Sequence, residues 1–159
     1  MSEVIIRPAR LADLPDILTL WRQLQDINAA VNPRLTLSNA APDWMADFLR
    51  EQMDNPNAAV LVAVSGSEEP VVVGYTLGQI LRRPTLDNGD CGYVADVCVR
   101  EGFRGQGIGR QLYERLRAWF VGQGLTAVEV QVVRANPASQ AFWRKMGCGE
   151  FLRTLRTEI

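Results

Sequence analysis

The spacing of apolar residues predicts a strand and then two helices in the first third of the chain. A short apolar run at 4–7 stops at Pro8, which is typical of a strand. A second, shorter helix is predicted by the apolar positions at 44–49 and should end before Asn55. The polar stretch 25–42 has no sustained period and is expected to form a loop. The first helix follows Asp13, with the helically spaced apolar residues Leu14, Ile17, Leu20, Trp21 and Leu24.

The middle of the chain is rich in β-branched residues and predicts three strands. Two runs, at 58–64 and 71–81, are joined by a polar segment, which is typical of an antiparallel pair. A turn-like segment at 82–89 follows. The third strand is predicted at 92–100, and it leads directly into a glycine-rich segment at 101–109.

The last third alternates between helices and strands. A helix is predicted from Gly107 to Gly122, followed by a strand at 127–133. Asn136 and the proline after it have the pattern of a helix N-cap, so a further helix is expected up to residue 147. The apolar alternation at 151–159 predicts a final strand.

This order of elements predicts an α/β fold of the α+β type, in which helices cover both faces of a mixed sheet. Two β-helix-β units, within 94–133 and 128–155, require crossover connections and therefore parallel strand neighbours. No linker, repeat or low-complexity segment interrupts the pattern, so we expect one domain over residues 1–159.

The composition excludes several classes of partner and of catalytic site. The 159 residues are 47% apolar and 22% charged, as in ordinary globular proteins. Lys and Arg total 17 against 18 Asp and Glu, so no basic field points to nucleic acid or to an anionic membrane as partner. Histidine is absent, which excludes Ser-His-Asp and Cys-His nucleophile systems and zinc sites with His ligands. We expect no metal cofactor.

The cysteines and the N-terminal sequence favour a cytoplasmic protein. Cys91, Cys98 and Cys148 are odd in number and lack CxxC spacing, which argues for reduced thiols. The first residues do not have the charged and apolar regions of a signal peptide. No apolar run approaches the roughly 20 residues that a membrane span requires.

The glycine-rich segment predicts an anion site. Between a strand and a helix, its backbone N–H groups and the helix dipole converge on one point, and Arg104 adds a cation. A dinucleotide GxGxxG motif fails because Arg110 stands at the third glycine position, and a P-loop fails because Ile108 stands in place of lysine. A turn with a purely geometric role is the remaining alternative.

Three stretches resemble one known family, the GNAT superfamily of N-acetyltransferases. The segment 96–109, DVCVREGFRGQGIG, is similar to the acyl-CoA motif of the family, with Arg104, Gly107 and Gly109 at the matching positions. The segment 136–147, NPASQAFWRKMG, resembles its Asn-led helix, and the opening IRPARLADLPDI resembles its first strand and helix. The resemblance covers nearly the whole chain and implies the GNAT fold.

In that family, acetyl-CoA lies between two parallel strands that splay apart. The resemblance therefore implies that the pantetheine arm pairs with the main chain of Val97, Cys98 and Val99. Asn136, Ser139 and Trp143 are expected on the opposite wall. A bulge near 96–99 would direct a backbone N–H towards the thioester carbonyl. The pyrophosphate is expected on the amides of Arg104, Gly105, Gln106, Gly107, Ile108 and Gly109.

For catalysis, the resemblance makes Asp96 the candidate base, acting through a water, with a purely structural role as the alternative. The chain departs from the family at Ala95, where many members are acidic, and at Trp143, where many carry a tyrosine acid. CoA thiolate is a good leaving group, so catalysis without that acid is possible. Cys98 is a candidate proton donor, although packing is an alternative role. Tyr75 and Tyr93 are further candidate donors.

These features predict an acetyl-CoA-dependent transfer of an acetyl group to a primary amine, most simply of a small molecule. The alternatives are an inactive acyl-CoA-binding or sensing domain, a protein or peptide N-acetyltransferase, and a subunit that needs a partner. A homodimer that pairs or exchanges the strand at 151–159 is also expected to be possible. Candidate acceptor contacts are the aromatic residues Trp21, Trp44 and Phe48 and the carboxylates Asp26, Asp43 and Asp47.

Overall fold

A computed structural model describes residues 3–66 and 68–159. Its centre is a five-stranded sheet with the spatial order β1-β2-β3-β4-β5. The first four strands are antiparallel neighbours, and β4 and β5 are parallel, which confirms the mixed sheet. The strands are β1 Val4–Pro8, β2 Ala58–Ser65, β3 Val72–Leu81, β4 Cys91–Val99 and β5 Val128–Val130.

Four helices cover the two faces of this sheet: α1 Leu14–Val31, α2 Ala41–Asp54, α3 Ile108–Gly122 and α4 Pro137–Lys145. The helix α4 has the predicted cap, because Oδ1 of Asn136 accepts a hydrogen bond of 3.1 Å from the Ser139 N–H. The expectation of a loop over 25–42 is wrong for 25–31, which continue α1. Within this stretch Gln25, Ala29 and Ala30 favour a helix, even without a clear apolar stripe.

The core has two layers, one on each face of the sheet. On one face, α1 packs on β3 and β4, and α2 packs on β2. On the other, α3 crosses β2, β3 and β4. Trp21 is only 7% exposed and packs within the first layer, and it also lines a cavity of about 210 Å³ with Leu18, Thr19, Arg22 and Pro42. The chain thus leaves β5 at one edge, away from α1 and α2.

The parallel pair β4 and β5 is paired over a short distance and then separates. Only Gly92, Tyr93 and Val94 have register partners on β5, at 128–130. The strand β4 continues to Val99, whereas β5 ends three residues earlier than the predicted strand at 127–133. This is the splayed pair that the family resemblance implied.

A β-bulge in β4 lies where the two strands part. Gly78 of β3 pairs with Val94, and the next residue, Leu77, pairs with Asp96, so Ala95 is the extra residue. The bulge turns Ala95 and Asp96 to the same face of the sheet, the face that α1 covers. It therefore lies at Ala95, one residue before the region 96–99 where a bulge was expected.

The prediction of a last strand at 151–159 is wrong for the single chain. This segment has no strand pairing, and its apolar side chains are exposed, Phe151 by 71% and Leu155 by 86%. The alternation of the sequence suits a strand, but no neighbouring strand lies beside it within the described residues. Within residues 3–66 and 68–159, no helix combines the length and apolar character that a membrane crossing requires.

Candidate functional site

The gap between β4 and β5 exposes main-chain groups of β4. The Arg100 N–H donates to the carbonyl of Val73 on β3, at 2.8 Å. Because successive residues of a strand point their N–H groups to opposite sides, Cys98 and Asp96 also face β3. Val97 and Val99 then direct their N–H groups towards β5, which has already turned away. An extended ligand can therefore pair with β4 at these two residues.

The glycine-rich segment closes the wide end of this gap. Gly105 and Gly107 have φ angles of +75° and +80°, a backbone conformation that side chains rarely adopt. A Cβ at either position would meet no atom within 4 Å, so the space in front of them is open. The first helical bond of α3 is donated by Gln111 to the carbonyl of Gly107, at 3.0 Å. The preceding N–H groups are free to bind an anion, and the dipole of α3 favours one there.

The other residues of this segment have distinct roles. Arg104 is exposed, and its Nε donates to the carbonyl of Val99 at 2.9 Å, which holds the guanidinium beside the loop. Gln106 is exposed at the tip, whereas the side chain of Ile108 is buried in the core. Gly109 packs closely against α4, because a Cβ there would lie 3.3 Å from the Phe142 ring.

The helix α4 forms the opposite wall. Asn136 is buried, and its side-chain oxygen is used as the cap for Ser139, which is partly exposed. Trp143 is 6% exposed and makes edge-to-face contacts with Phe142 and Tyr113, at ring-centroid distances of 5.0 and 5.2 Å. The indole is therefore part of the core beneath the gap, and its predicted nearness to a thioester stays a prediction.

Asp96 is partly buried on the α1 side of β4, directly after the bulge. Burial raises its pKa to about 6, while the nearby Tyr75 hydroxyl lowers it in part. A carboxylate with this pKa remains ionised at neutral pH and is a stronger base than an ordinary aspartate. Thr76 fixes the backbone here by donating from its hydroxyl to the Asp96 carbonyl, at 2.8 Å.

The other candidate proton donors near Asp96 are less accessible. The thiol of Cys98 is buried and lies 3.2 Å from the carbonyl oxygen of Leu20, to which it donates. Burial raises the pKa of Cys98 to about 11. These features favour the packing role for Cys98, and its role as a donor stays a prediction. The hydroxyl of Tyr93 lies at the gap and donates to Gln131 at 3.3 Å.

One ion pair beside the site has no signal in the sequence. Arg83, in the loop after β3, binds both carboxylate oxygens of Glu129 on β5, at 2.5 and 2.7 Å. Tyr93 and Glu129 are register partners on the parallel strands, so the pair lies on the same face as Tyr93. The two residues are 46 positions apart, and only the folded sheet brings them together.

The other acceptor candidates are not assembled around Asp96. A cavity of about 360 Å³ is lined by Arg22, Gln25, Asp26 and Ala29 of α1 and by the loop after it. The carbonyl of Leu20 accepts from Cys98 of β4, so Leu20 marks the side of α1 that faces the sheet. The four lining residues lie on the opposite side of the helix, and the cavity is therefore on the outer side of α1.

The remaining aromatic and acidic candidates lie on α2. Trp44 and Phe48 stack at 4.9 Å between ring centroids, and Trp44 is 63% exposed. Asp47 is paired with Arg50 at 2.8 Å, and Asp43 is exposed. Because α2 packs on β2, this group lies over a different part of the sheet, two strands away from β4. Within residues 3–66 and 68–159, no cluster of three metal-binding side chains occurs.

Comparisons with known proteins agree with this geometry. The model of the acetyltransferase (GNAT) family matches residues 21–148. The L-2,4-diaminobutyric acid acetyltransferase of Nocardia farcinica is 29% identical over 134 residues. That match covers 84% of this chain and 60% of the relative, so the chain spans about three fifths of that relative's length.

Solved structures share the fold at low identity. A tetramutant of the BH1408 protein from Bacillus halodurans has a TM-score of 0.85 at 23% identity, over 98% of this chain and 99% of that one. The aminoglycoside N-acetyltransferase AAC(6')-Iy, solved in complex with CoA, has a TM-score of 0.78 at 18% identity. The match covers 100% of this chain and 96% of that one.

Proposed function

The chain belongs to the GNAT family of acetyltransferases, and we propose that residues 1–159 act as one domain that acetylates a primary amine of a small molecule with acetyl-CoA as donor. The observation that carries this proposal is the separation of β4 from β5 beside an open loop with two positive-φ glycines. That arrangement offers main-chain pairing for an extended arm and N–H groups for a pyrophosphate at its end.

The residues that bind acetyl-CoA follow from the same arrangement. Val97 and Val99 pair with the pantetheine arm, and the amides of 105–109 bind the pyrophosphate. Arg104 adds a positive charge beside those amides, with its Nε held by Val99 at 2.9 Å. Asn136 and Ser139 contact the donor from α4, and Trp143 supports that wall from the core. The open space at Gly105 and Gly107 fits a phosphate that approaches the backbone closely.

The chemical step needs a neutral amine. An ordinary lysine-like amine has a pKa of about 10.4, so its deprotonation at pH 7 costs about 4.6 kcal/mol. Asp96 accepts this proton, directly or through a water, and its raised pKa of about 6 makes it a better base than an ordinary aspartate. The neutral amine nitrogen then bonds to the acetyl carbon, the carbon–sulfur bond breaks, and CoA leaves as the thiolate. The nitrogen loses its second proton to water or to the departing thiolate, which gives the neutral amide.

The backbone at the bulge stabilises the developing oxyanion. The Val97 N–H points into the gap next to Asp96, so one residue pair supplies both the base and a donor for the thioester oxygen. Removing one such donor typically costs about 2.7–4 kcal/mol of barrier. The thiolate is a good leaving group, because an ordinary thiol has a pKa of about 8.5. The site therefore works without a tyrosine acid at Trp143.

A small-molecule acceptor is supported by two kinds of relative. The Nocardia farcinica protein is named for L-2,4-diaminobutyric acid, and the AAC(6')-Iy structure is that of an aminoglycoside acetyltransferase. Both substrate classes carry primary amines. On the sheet face that carries both Asp96 and Glu129, Asp96 is the carboxylate that draws an ammonium group, because Glu129 is already paired with Arg83.

A homodimer in the cytoplasm completes the proposal. The exposed apolar residues of 151–159 and the short edge strand β5 suit exchange of this segment with a second copy. All three cysteines are free, which suits a reducing compartment. Light scattering of the full chain and of a chain without 150–159 tests the dimer. The full chain should be a dimer and the shortened chain a monomer, and a monomeric full chain contradicts this part.

The function itself is tested by CoA release with a panel of amines. We expect turnover with a diamino acid, an aminoglycoside or a polyamine, and little with a peptide N-terminus. Turnover confined to peptides would overturn the small-molecule assignment. Binding of acetyl-CoA with no turnover on any amine would replace it with the inactive binding domain.

A further inference from the structure

The hydroxyl of Tyr75 is a buried polar group that the site described above leaves unused. The Tyr75 side chain is fully buried between the sheet and α1, and its oxygen makes no hydrogen bond of normal geometry within the described residues. Buried hydroxyl groups without a partner are rare in folded proteins. This one therefore points to a partner that it gains in a working state of the protein.

The strand register identifies Asp96 as that partner. Tyr75 pairs with Cys98, and Leu77 pairs with Asp96, so Tyr75 and Asp96 are diagonal neighbours on adjacent strands. Both side chains lie on the α1 face of the sheet. The two groups are close enough that each changes the pKa of the other: Tyr75 lowers that of Asp96, and Asp96 adds to the burial that raises that of Tyr75.

The other groups near Asp96 do not offer the same contact. Cys98 already donates its thiol proton to Leu20, and the Tyr93 hydroxyl donates to Gln131. On α1, the core residues Leu20 and Leu24 are apolar, and Gln23 is uncharged, with an Oε1 that is buried and has no partner within the described residues. Tyr75 is thus the hydroxyl donor that the register sets beside Asp96 inside the core.

We propose that Tyr75 is a positioning residue for acetyl transfer, whose hydroxyl donates a hydrogen bond to one oxygen of ionised Asp96 and leaves the other oxygen for the proton of the amine. This inference rests on the proposed role of Asp96 as the base. Tyr75 is not a proton donor to the CoA thiolate, because its oxygen is closed off from the gap. Its role is to keep Asp96 ionised and oriented although the surroundings favour the neutral acid.

The test is the pH profile of kcat/KM for the Tyr75→Phe protein. If the amine binds as the ammonium ion, the acid limb of this profile reports the pKa of Asp96 in the free enzyme, at about 6 in the original chain. Loss of the hydrogen bond should move the limb to higher pH by about one unit. At pH values below the limb, kcat/KM of Tyr75→Phe should be about tenfold lower than that of the original chain, and at alkaline pH the two values should be equal.

A matched control is Tyr113→Phe, which removes a buried hydroxyl on the other face of the sheet. It should leave the acid limb unmoved. Both variants should bind acetyl-CoA as the original chain does, because each substitution removes only a hydroxyl and keeps the aromatic ring, including the contact of the ring at 113 with Trp143. An acid limb that is unchanged in Tyr75→Phe overturns the inference.

Two further measurements keep the result interpretable. Asp96→Asn in the same assay separates the inference from its premise: full activity there overturns the proposed base, whereas an inactive Asp96→Asn with an unmoved Tyr75→Phe profile overturns only the role of Tyr75. Proton NMR of the unmutated chain needs no variant. The Tyr75 hydroxyl signal should shift as Asp96 titrates near pH 6, and a signal constant through that range contradicts the contact.

Discussion

Arg83 and Glu129 form a two-pronged ion pair that fastens the loop after β3 to the edge strand β5. Both guanidinium nitrogens contact the carboxylate, at 2.5 and 2.7 Å. Glu129 stands opposite Tyr93 in the last paired stretch of β4 and β5, immediately before the two strands separate. The ion pair therefore fixes β5 at the point from which the gap opens.

Replacing Glu129 with Gln should loosen this point. The hydrogen bonds with Arg83 lower the pKa of Glu129 in the folded protein. The ion pair therefore stabilises the fold fully at pH values above the pKa that Glu129 has in the unfolded chain. This stabilisation is lost as the pH falls through the lower pKa that Glu129 has in the folded protein. We expect a lower Tm at pH 7, a smaller difference in acid, and a raised KM for acetyl-CoA. Thermal unfolding across pH measures this effect.

The control for that variant is Glu114→Gln on α3. Glu114 is paired with Arg110, but both side chains are more than half exposed. Exposed pairs of this kind contribute little to stability. A Tm loss of equal size in the two variants contradicts a special role for Glu129.

Asp96→Asn should reduce activity and increase stability together. As the proposed base, Asp96 supports a rate effect of about 10²–10⁴-fold in kcat. Burial raises its pKa from 3.8 to about 6, so the ionised form opposes folding, and stability falls as the pH rises through that interval. The neutral amide should therefore stabilise the chain at pH 7, by up to about 3 kcal/mol.

Denaturant unfolding and steady-state kinetics on the same preparation measure both effects. The binding of acetyl-CoA should be unchanged, because the carboxylate faces the acceptor side. A variant that is less stable and still fully active would assign Asp96 a structural role only.

Arg104→Ala should weaken acetyl-CoA binding and leave the fold intact. The side chain is exposed, and its one described hydrogen bond is to the Val99 carbonyl, so little packing is lost. Loss of a charge-assisted contact to phosphate is worth about 1.5–3 kcal/mol, which corresponds to a Kd raised at least tenfold. Calorimetry measures it, with Arg50→Ala on α2 as the control. Equal Kd values for Arg104→Ala and the original chain would remove Arg104 from the pyrophosphate site.

Gly107→Ala tests the backbone of the loop. A methyl group at this position meets no protein atom within 4 Å, but its φ of +80° is unfavourable for alanine. We expect a stability loss of about 1–2 kcal/mol from strain and a larger loss of acetyl-CoA binding, because the methyl group occupies the phosphate space. Gly122→Ala also enters open space, without positive φ, and should leave binding unchanged. If both alanine variants bind equally well, the segment is only a turn.

The sequence predicted the elements of the fold because their signals are local. The N-cap at Asn136 and the glycines at 105–107 require particular backbone conformations, and the structure has both. The strand at 151–159 was predicted wrongly because apolar alternation marks a strand but does not supply its neighbour. The placement of Tyr75 diagonally opposite Asp96 and the ion pair of Arg83 with Glu129 depend on register between distant segments, which periodicity does not encode.

The parts of the site that consist of main-chain groups could be predicted from the sequence. The strand-loop-helix order at 92–109 already indicated an anion site, and the positive φ angles and the open space before Gly107 fit that expectation. The raised pKa of Asp96 was not predictable, because it arises from burial beneath α1. The position of the cavity at Asp26, on the outer side of α1, was also not predictable. Helical spacing alone does not say which side of this helix segment faces the sheet.

The most direct test of the proposed activity is calorimetric titration of the purified chain with acetyl-CoA, and separately with NAD. We expect micromolar binding of acetyl-CoA with one site per chain and no binding of NAD, because the loop lacks the third glycine of a dinucleotide motif. Absence of acetyl-CoA binding, or equal binding of both ligands, would contradict the assignment of the β4–β5 gap as the donor site.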